Sequence, residues 1–121
     1  MKKKRILVVD DEQGFTHLLK LVLPIYDVRE ENNPTRVIEV AREFKPDLIL
    51  LDIIMPEMDG GTLAAKIREE PLLRFVPIVF LTAIVSSKEA EHRKTIDGHP
   101  CLAKPVTKDR LVECINQYLP D

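Results

Sequence analysis

The chain has no tryptophan, and its two tyrosines and four phenylalanines leave aromatics at 5% of 121 residues. With 18 basic against 20 acidic side chains, it also lacks an excess of either sign. A nucleic-acid groove needs a basic stripe interleaved with stacking rings, so that class of function is excluded. No apolar run approaches the ~20 residues of a membrane span. The basic start, Met1-Lys2-Lys3-Lys4-Arg5, leads into a short apolar run rather than the core of a signal peptide. The expectation is a cytoplasmic protein that touches no membrane. Cys101 and Cys114 have no C-x-x-C spacing, which argues against a zinc site or disulfide framework and fits two reduced thiols.

Apolar residues are plentiful at 45% of the chain. A chain of this size buries about two thirds of its unfolded surface without disulfides or metal, and one domain over residues 1–121 is expected. The runs at 6–9, 48–51 and 76–81 are too short and too continuously apolar for half-exposed strands, and read as strands covered on both faces. Weaker strands are predicted at 26–29, half polar as at a sheet edge, and at 101–103. Between them lie stretches with helical spacing: Phe15, Leu18, Leu19 and Val22; Val37, Val40, Ala41 and Phe44; Leu63 and Ile67; Leu111, Ile115, Tyr118 and Leu119. Residues 86–96 open with Ser86 and Glu89 at capping-box spacing and form the least apolar predicted helix. Five strands alternating with five helices predict an α/β sandwich, doubly wound around a parallel sheet. Ligands of such sheets sit beyond the carboxyl ends of the strands, so the residues just after each strand matter most.

The first strand runs into Asp10, Asp11 and Glu12, and the third into Asp52. Several carboxylates on one rim repel one another or demand a cation, and oxygen ligands favour a hard ion such as Mg²⁺. The competing reading is that aspartates after strands start loops and cap helices. The fourth strand ends at Thr82 and the fifth at Lys104, which adds a hydroxyl and a fixed positive charge. Such a set suits a phosphoryl group: a carboxylate as nucleophile, a metal and an ammonium to neutralise the transferring oxygens, and a hydroxyl to bond one of them. Glu57, Asp59, Gly60 and Gly61 read as a flexible loop beside this rim, with the glycines supplying backbone freedom before the third helix. His17 and His92 fall on predicted helices and His99 in a Gly-His-Pro turn, none with a second ligand at metal spacing.

With the Asp10-Asp11-Glu12 run, the segment Leu51-Asp52-Ile53-Ile54-Met55-Pro56-Glu57-Met58-Asp59-Gly60, then Leu81-Thr82-Ala83 and Lys104-Pro105, the sequence resembles the receiver domain of two-component response regulators almost end to end. The resemblance implies a five-stranded parallel sheet in the flavodoxin-like order 2-1-3-4-5 with helices on both faces. It implies that Asp52 is the phosphoacceptor for a sensor histidine kinase or phosphotransfer protein. Mg²⁺ would be held by Asp10, Asp11, Asp52 and the backbone carbonyl of Ile54, while Thr82 and Lys104 would meet the phosphoryl oxygens. Two departures stand out. Cys101 occupies the position where receivers carry an aromatic switch residue, and Val106 replaces the phenylalanine common after Lys-Pro. A rotating ring therefore cannot report on Asp52, and the signal is expected to rely on Thr82 and movement of residues 86–96. Ile54 and Ile84 stand two beyond the acceptor and two beyond the threonine. The resemblance implies that these positions tune phosphoryl lifetime, and since neither isoleucine can orient a hydrolytic water, slow self-dephosphorylation is expected; the competing reading is that both side chains only cover the rim of the core.

The function expected is a self-modifying phosphoacceptor switch without independent substrate turnover. The alternative is a pseudo-receiver that binds a partner without phosphorylation. A small phosphohydrolase would want a second aspartate where Ile54 stands, and a flavin or nucleotide binder would want a Gly-rich loop after the first strand. Output would go to a downstream protein partner or to an output domain missing from this sequence. The resemblance also implies that the face from residues 86–96 through the fifth strand and last helix, with Lys88, Glu91, His92 and Tyr118 as candidates, is the partner or homodimer surface.

Overall fold

The structure is a computed structural model, and the residues it describes are 3–53, 55, 58–82, 95–96, 98–104 and 106–119; for Thr82, Thr95 and Ile96 only the backbone is described. The strands are β1 (Arg5–Val9), β2 (Asp27–Glu31), β3 (Leu48–Asp52), β4 (Ile78–Thr82), β5 (Thr95–Ile96) and β6 (His99–Ala103). The described helices are α1 (Gln13–Val22), α2 (Val37–Phe44), α3 (Gly60–Glu69) and α4 (Lys108–Tyr118). The sheet order is β2-β1-β3-β4-β6-β5, with every pairing parallel except that of β5 with β6. The five parallel strands thus follow the order 2-1-3-4-5 expected from the sequence.

Period-two alternation divides the core between the two faces of the sheet. Leu7, Val9, Ile49, Leu51, Ile78 and Phe80 pack with Val37, Val40 and Ala41 of α2 and Leu63, Ala64 and Ile67 of α3. Ile6, Val8, Leu48, Leu50, Val79 and Leu81 pack with Leu19 of α1 and Leu111, Cys114 and Ile115 of α4. Both faces of the central strands are dry, which explains why they appear in the sequence as unbroken apolar runs. Burial beside Glu113 pushes the Cys114 thiol up from its ordinary range, in keeping with an inert reduced cysteine.

Three sequence readings change. Leu18 is 54% exposed, and the buried stripe of α1 runs instead through Thr16 and Leu19. Thr95 and Ile96, expected to close a helix, form a strand antiparallel to His99 and Pro100 around Gly98, whose φ is 81°. Asp97-Gly98 is a hairpin signal, but Pro100 reads as a strand breaker; it is tolerated because it lies near the start of β6, before the pairing with β4 begins at Cys101. His99 accordingly belongs to β6 rather than to a turn, with its ring edge-on to Phe80 at 5.4 Å. The remainder of the predicted helix over 86–96, with Lys88, Glu91 and His92, lies outside the described residues, as do Ile54 and Ile84.

Candidate functional site

Strand register delivers the site. Val9 pairs with Leu51, so Asp10 follows β1 at the level where Asp52 ends β3. Asp52 pairs with Leu81, and Thr82 pairs with Ala103, so Lys104 follows directly beyond β6. Parallel pairing thus brings the ends of four neighbouring strands to one edge, at the switch point between β1 and β3. One carboxylate oxygen from each of Asp10, Asp11 and Asp52 lies within 4.8 Å of the others, with Asp10 and Asp52 buried and Asp11 exposed. Lys104 Nζ donates to Asp10 Oδ2 at 2.5 Å and lies 3.8 Å from Asp52 Oδ2. The ammonium also sits 4.3 Å from the centroid of the Phe15 ring, a cation–π contact from the first turn of α1.

Three carboxylates facing one ammonium carry a formal charge of −2. Two carboxylates at 4.8 Å repel by about 3 kcal/mol at an effective dielectric of about 20, while Lys104 at 3.8 Å attracts Asp52 by about 4 kcal/mol. Lys104 attracts Asp10 more strongly still at 2.5 Å, so the ammonium offsets much of the mutual repulsion, but it leaves the pocket's formal charge at −2, which a divalent cation matches. Oxygen-only ligands, two buried and one open to solvent, fit a hard ion that keeps part of its water shell.

Asp59, read from sequence as part of a flexible loop, instead caps α3. Its Oδ1 accepts from the Thr62 amide at 2.8 Å and its Oδ2 from the Thr62 hydroxyl at 2.9 Å, and these bonds hold its carboxyl below its ordinary range. Gly60 does not precede the helix but begins it, docked by its amide on the Ile53 carbonyl at 2.6 Å. A Cβ there would meet Asp52 O at 2.5 Å and Ile53 Cα at 2.7 Å.

Sequence reasoning missed Asn32, Thr16 and Glu30. Asn32 Nδ2 donates to the Asp10 carbonyl at 2.8 Å and to Thr16 Oγ1 at 3.0 Å, and Thr16 Oγ1 donates to Glu30 Oε1 at 2.8 Å. Asn32 follows β2 as Asp10 follows β1, so the strand-end rule, applied to the edge strand as well, would have found it. The side chain of Thr82 and the Ile54 carbonyl, two further expected site groups, lie outside what is described.

A doubly wound parallel sheet with an acidic, ammonium-capped pocket at its switch point defines the class: an α/β module with its polar site beyond the carboxyl ends of the strands. This chain belongs to the response regulator receiver domain family, whose pattern matches residues 6–116. It is 28% identical over 120 residues to the polar-differentiation response regulator DivK of Brucella anthropi, covering 98% of each chain. It is 43% identical over 83 residues to the response regulator PleD of Caulobacter vibrioides, across 66% of this chain and 18% of that protein. A solved response regulator structure from Chloroflexus aurantiacus superposes with a TM-score of 0.84 at 29% identity, covering 99% of this chain and all of that one. The chain is thus a signalling module of two-component systems, a kind of protein that interacts with kinases or phosphotransfer proteins and with downstream partners. Among the described residues, no helix is long and apolar enough to cross a membrane.

Proposed function

We propose that Asp52 accepts a phosphoryl group from a phosphohistidine, with Mg²⁺ as the cofactor, in a cytoplasmic relay. The observation that carries this reading is the convergence of Asp10, Asp11 and Asp52 within 4.8 Å beneath Lys104. An Asp52 carboxylate oxygen attacks phosphorus, the P–N bond to the donor imidazole breaks, and the nitrogen leaves with its electron pair. A divalent ion held by Asp10, Asp11, Asp52 and the Ile54 carbonyl supplies neutralisation of the phosphoryl oxygens when bound. Lys104 would add a second positive charge beside the same carboxylates, and Thr82, at the end of β4, is the hydroxyl expected to bond a phosphoryl oxygen. Nothing in this set supplies an acid–base pair for turnover, so the chain modifies itself and has no further substrate. It acts as one domain over residues 1–121.

The test is incubation with a small phosphodonor and Mg²⁺, followed by intact mass. The native chain gains one phosphoryl group and Asp52→Asn gains none. Equal modification of both would remove Asp52 from the mechanism, and no modification of either would favour the pseudo-receiver reading.

The donor protein's docking surface is proposed on α1, whose exposed Leu18 and Leu21, 54% and 63% accessible, continue into Ile25 at 69%. Leu18 and Leu21 stand at i and i+3 on α1, which starts beside Asp11, and Ile25 follows three residues beyond its end, an exposed apolar strip that suits the apolar face of a helical donor. Leu21→Glu is expected to slow transfer from the cognate kinase by about tenfold or more while leaving modification by a small phosphodonor unchanged. Equal rates with the kinase would refute the surface. The homodimer face remains a proposal on residues 86–96, β6 and α4, where Tyr118 is already half-buried against the core.

A further inference from the structure

We infer that Asn32 and Thr16 are positioning residues for the cation site: together they clamp the turn that carries Asp10 and Asp11. The inference rests on the metal-dependent reading above and concerns residues 16 and 32, which reach Asp10 through its backbone carbonyl rather than through its carboxylate.

The turn after β1 has to leave the sheet and aim two adjacent carboxylates back toward β3. Asp10 is completely buried and already spends both carboxylate oxygens, Oδ1 accepting from the Glu12 amide at 3.0 Å and Oδ2 from Lys104. The direction of that carboxylate therefore depends on its backbone. Two bonds from the β2 side fix the backbone: the Asp10 amide donates to the Glu31 carbonyl at 3.2 Å, and its carbonyl accepts from Asn32 Nδ2 at 2.8 Å. A carbonyl can only accept, so the Asn32 amide must present its NH₂ group there, and the second N–H goes to Thr16 Oγ1 at 3.0 Å.

Thr16 is itself fully buried, at a place on α1 where periodicity calls for an apolar side chain. Its hydroxyl is satisfied on both sides, accepting from Asn32 and offering its proton to Glu30 Oε1 at 2.8 Å, with the Gln13 carbonyl a longer acceptor at 3.1 Å. A buried hydroxyl in a core stripe is tolerated only when bonded. Here the bonds tie α1, the end of β2 and the Asp10 turn into one unit. Groups that hold metal ligands in this indirect way raise affinity by fixing ligand direction before the ion arrives.

The experiment is titration with Mg²⁺ alone, without phosphodonor, followed by amide NMR, on the native chain, Asn32→Leu, Thr16→Val and Thr16→Ser. Asn32→Leu keeps size and removes the donors, and Thr16→Val keeps shape and removes the hydroxyl. Each is expected to weaken Mg²⁺ about tenfold, with the pair combined losing little more than either alone, because both break the same clamp. Thr16→Ser restores the hydroxyl and should recover most of the affinity lost in Thr16→Val. Hydrogen exchange at the Glu12 amide, which reports on Asp10 Oδ1, should quicken in the two weakened variants and not in Thr16→Ser. If the native chain binds Mg²⁺ and both Asn32→Leu and Thr16→Val bind within about twofold of it, the clamp is refuted. If Asn32→Leu does not fold, the Val and Ser variants at residue 16 decide alone. A native chain that binds no Mg²⁺ would overturn the functional reading and, with it, this inference.

Discussion

Gly60→Ala is expected to destabilise the protein by about 3 kcal/mol, the upper end for overpacking, and to weaken Mg²⁺ binding at the same time. The added methyl group would meet Asp52 O at 2.5 Å and Ile53 Cα at 2.7 Å. Both are backbone atoms, so no rotamer change relieves the contact, and either α3 or the chain leaving β3 must shift. A shift of α3 breaks the Gly60 amide bond to Ile53 at 2.6 Å, and a shift of β3's end moves the Asp52 carboxylate out of the cation pocket. Gly14→Ala provides the contrast: it lies in α1, where an added methyl group would have nothing within 4 Å, so it should stabilise by about 0.5 kcal/mol. Urea denaturation and Mg²⁺ titration of both variants check the pair. A Gly60→Ala protein as stable as Gly14→Ala, with native Mg²⁺ affinity, would show that the close approach of α3 to Asp52 has no consequence.

That glycine marks the boundary of what was legible in the sequence. The central strands were readable because a strand dry on both faces must be apolar at every position, and Ile6 to Val9 and Leu48 to Leu51 are. Asp10, Asp11, Asp52 and Lys104 were readable because parallel strands put their following residues on one edge whatever the details of packing. Gly60, by contrast, looked like loop freedom, since only the docked helix reveals that a Cβ has nowhere to go. Thr16 was invisible to an apolar count because its hydroxyl is satisfied by Glu30 and Asn32, which lie on or just beyond a different strand. Leu18 was counted into the core by the same argument, because helical spacing alone does not say which edge of a broad apolar stripe faces the sheet. Pro100 hid the β5–β6 hairpin, because proline lacks the donor that an interior strand position needs and the sequence does not say that this one lies near the start of its strand.

Lys104→Met should move three measurements, two of them in opposite senses. The ammonium is the partner of a fully buried Asp10 carboxylate and lies 3.8 Å from Asp52, with its own side chain only 13% exposed. Removing it leaves three carboxylates facing one another, so in the presence of a chelator the variant should be less stable by roughly 3 kcal/mol, the usual cost of stripping one partner from a buried pair. Methionine keeps an unbranched apolar side chain and removes only the ammonium, so that loss reports the charge, its 4.3 Å contact with the Phe15 ring included. The same removal frees Asp10 Oδ2 from its competitor, and the pocket's formal charge becomes more negative by one. Mg²⁺ should therefore bind more tightly, by about tenfold, and addition of Mg²⁺ should recover most of the lost stability, because a ligand that binds only the folded state stabilises it by mass action. Tighter metal would not bring faster phosphorylation. The developing charge on the transferred oxygens loses its second cation, and the rate from a small phosphodonor at saturating Mg²⁺ should fall by roughly a hundredfold, as when a preorganised donor to developing charge is removed. Were Lys104 simply a solvated charge at the rim, stability, affinity and rate would all stay near their native values. Lower stability in chelator, tighter metal and slower chemistry together are the signature of an internal cation that holds the pocket's place until the metal and the phosphoryl group arrive.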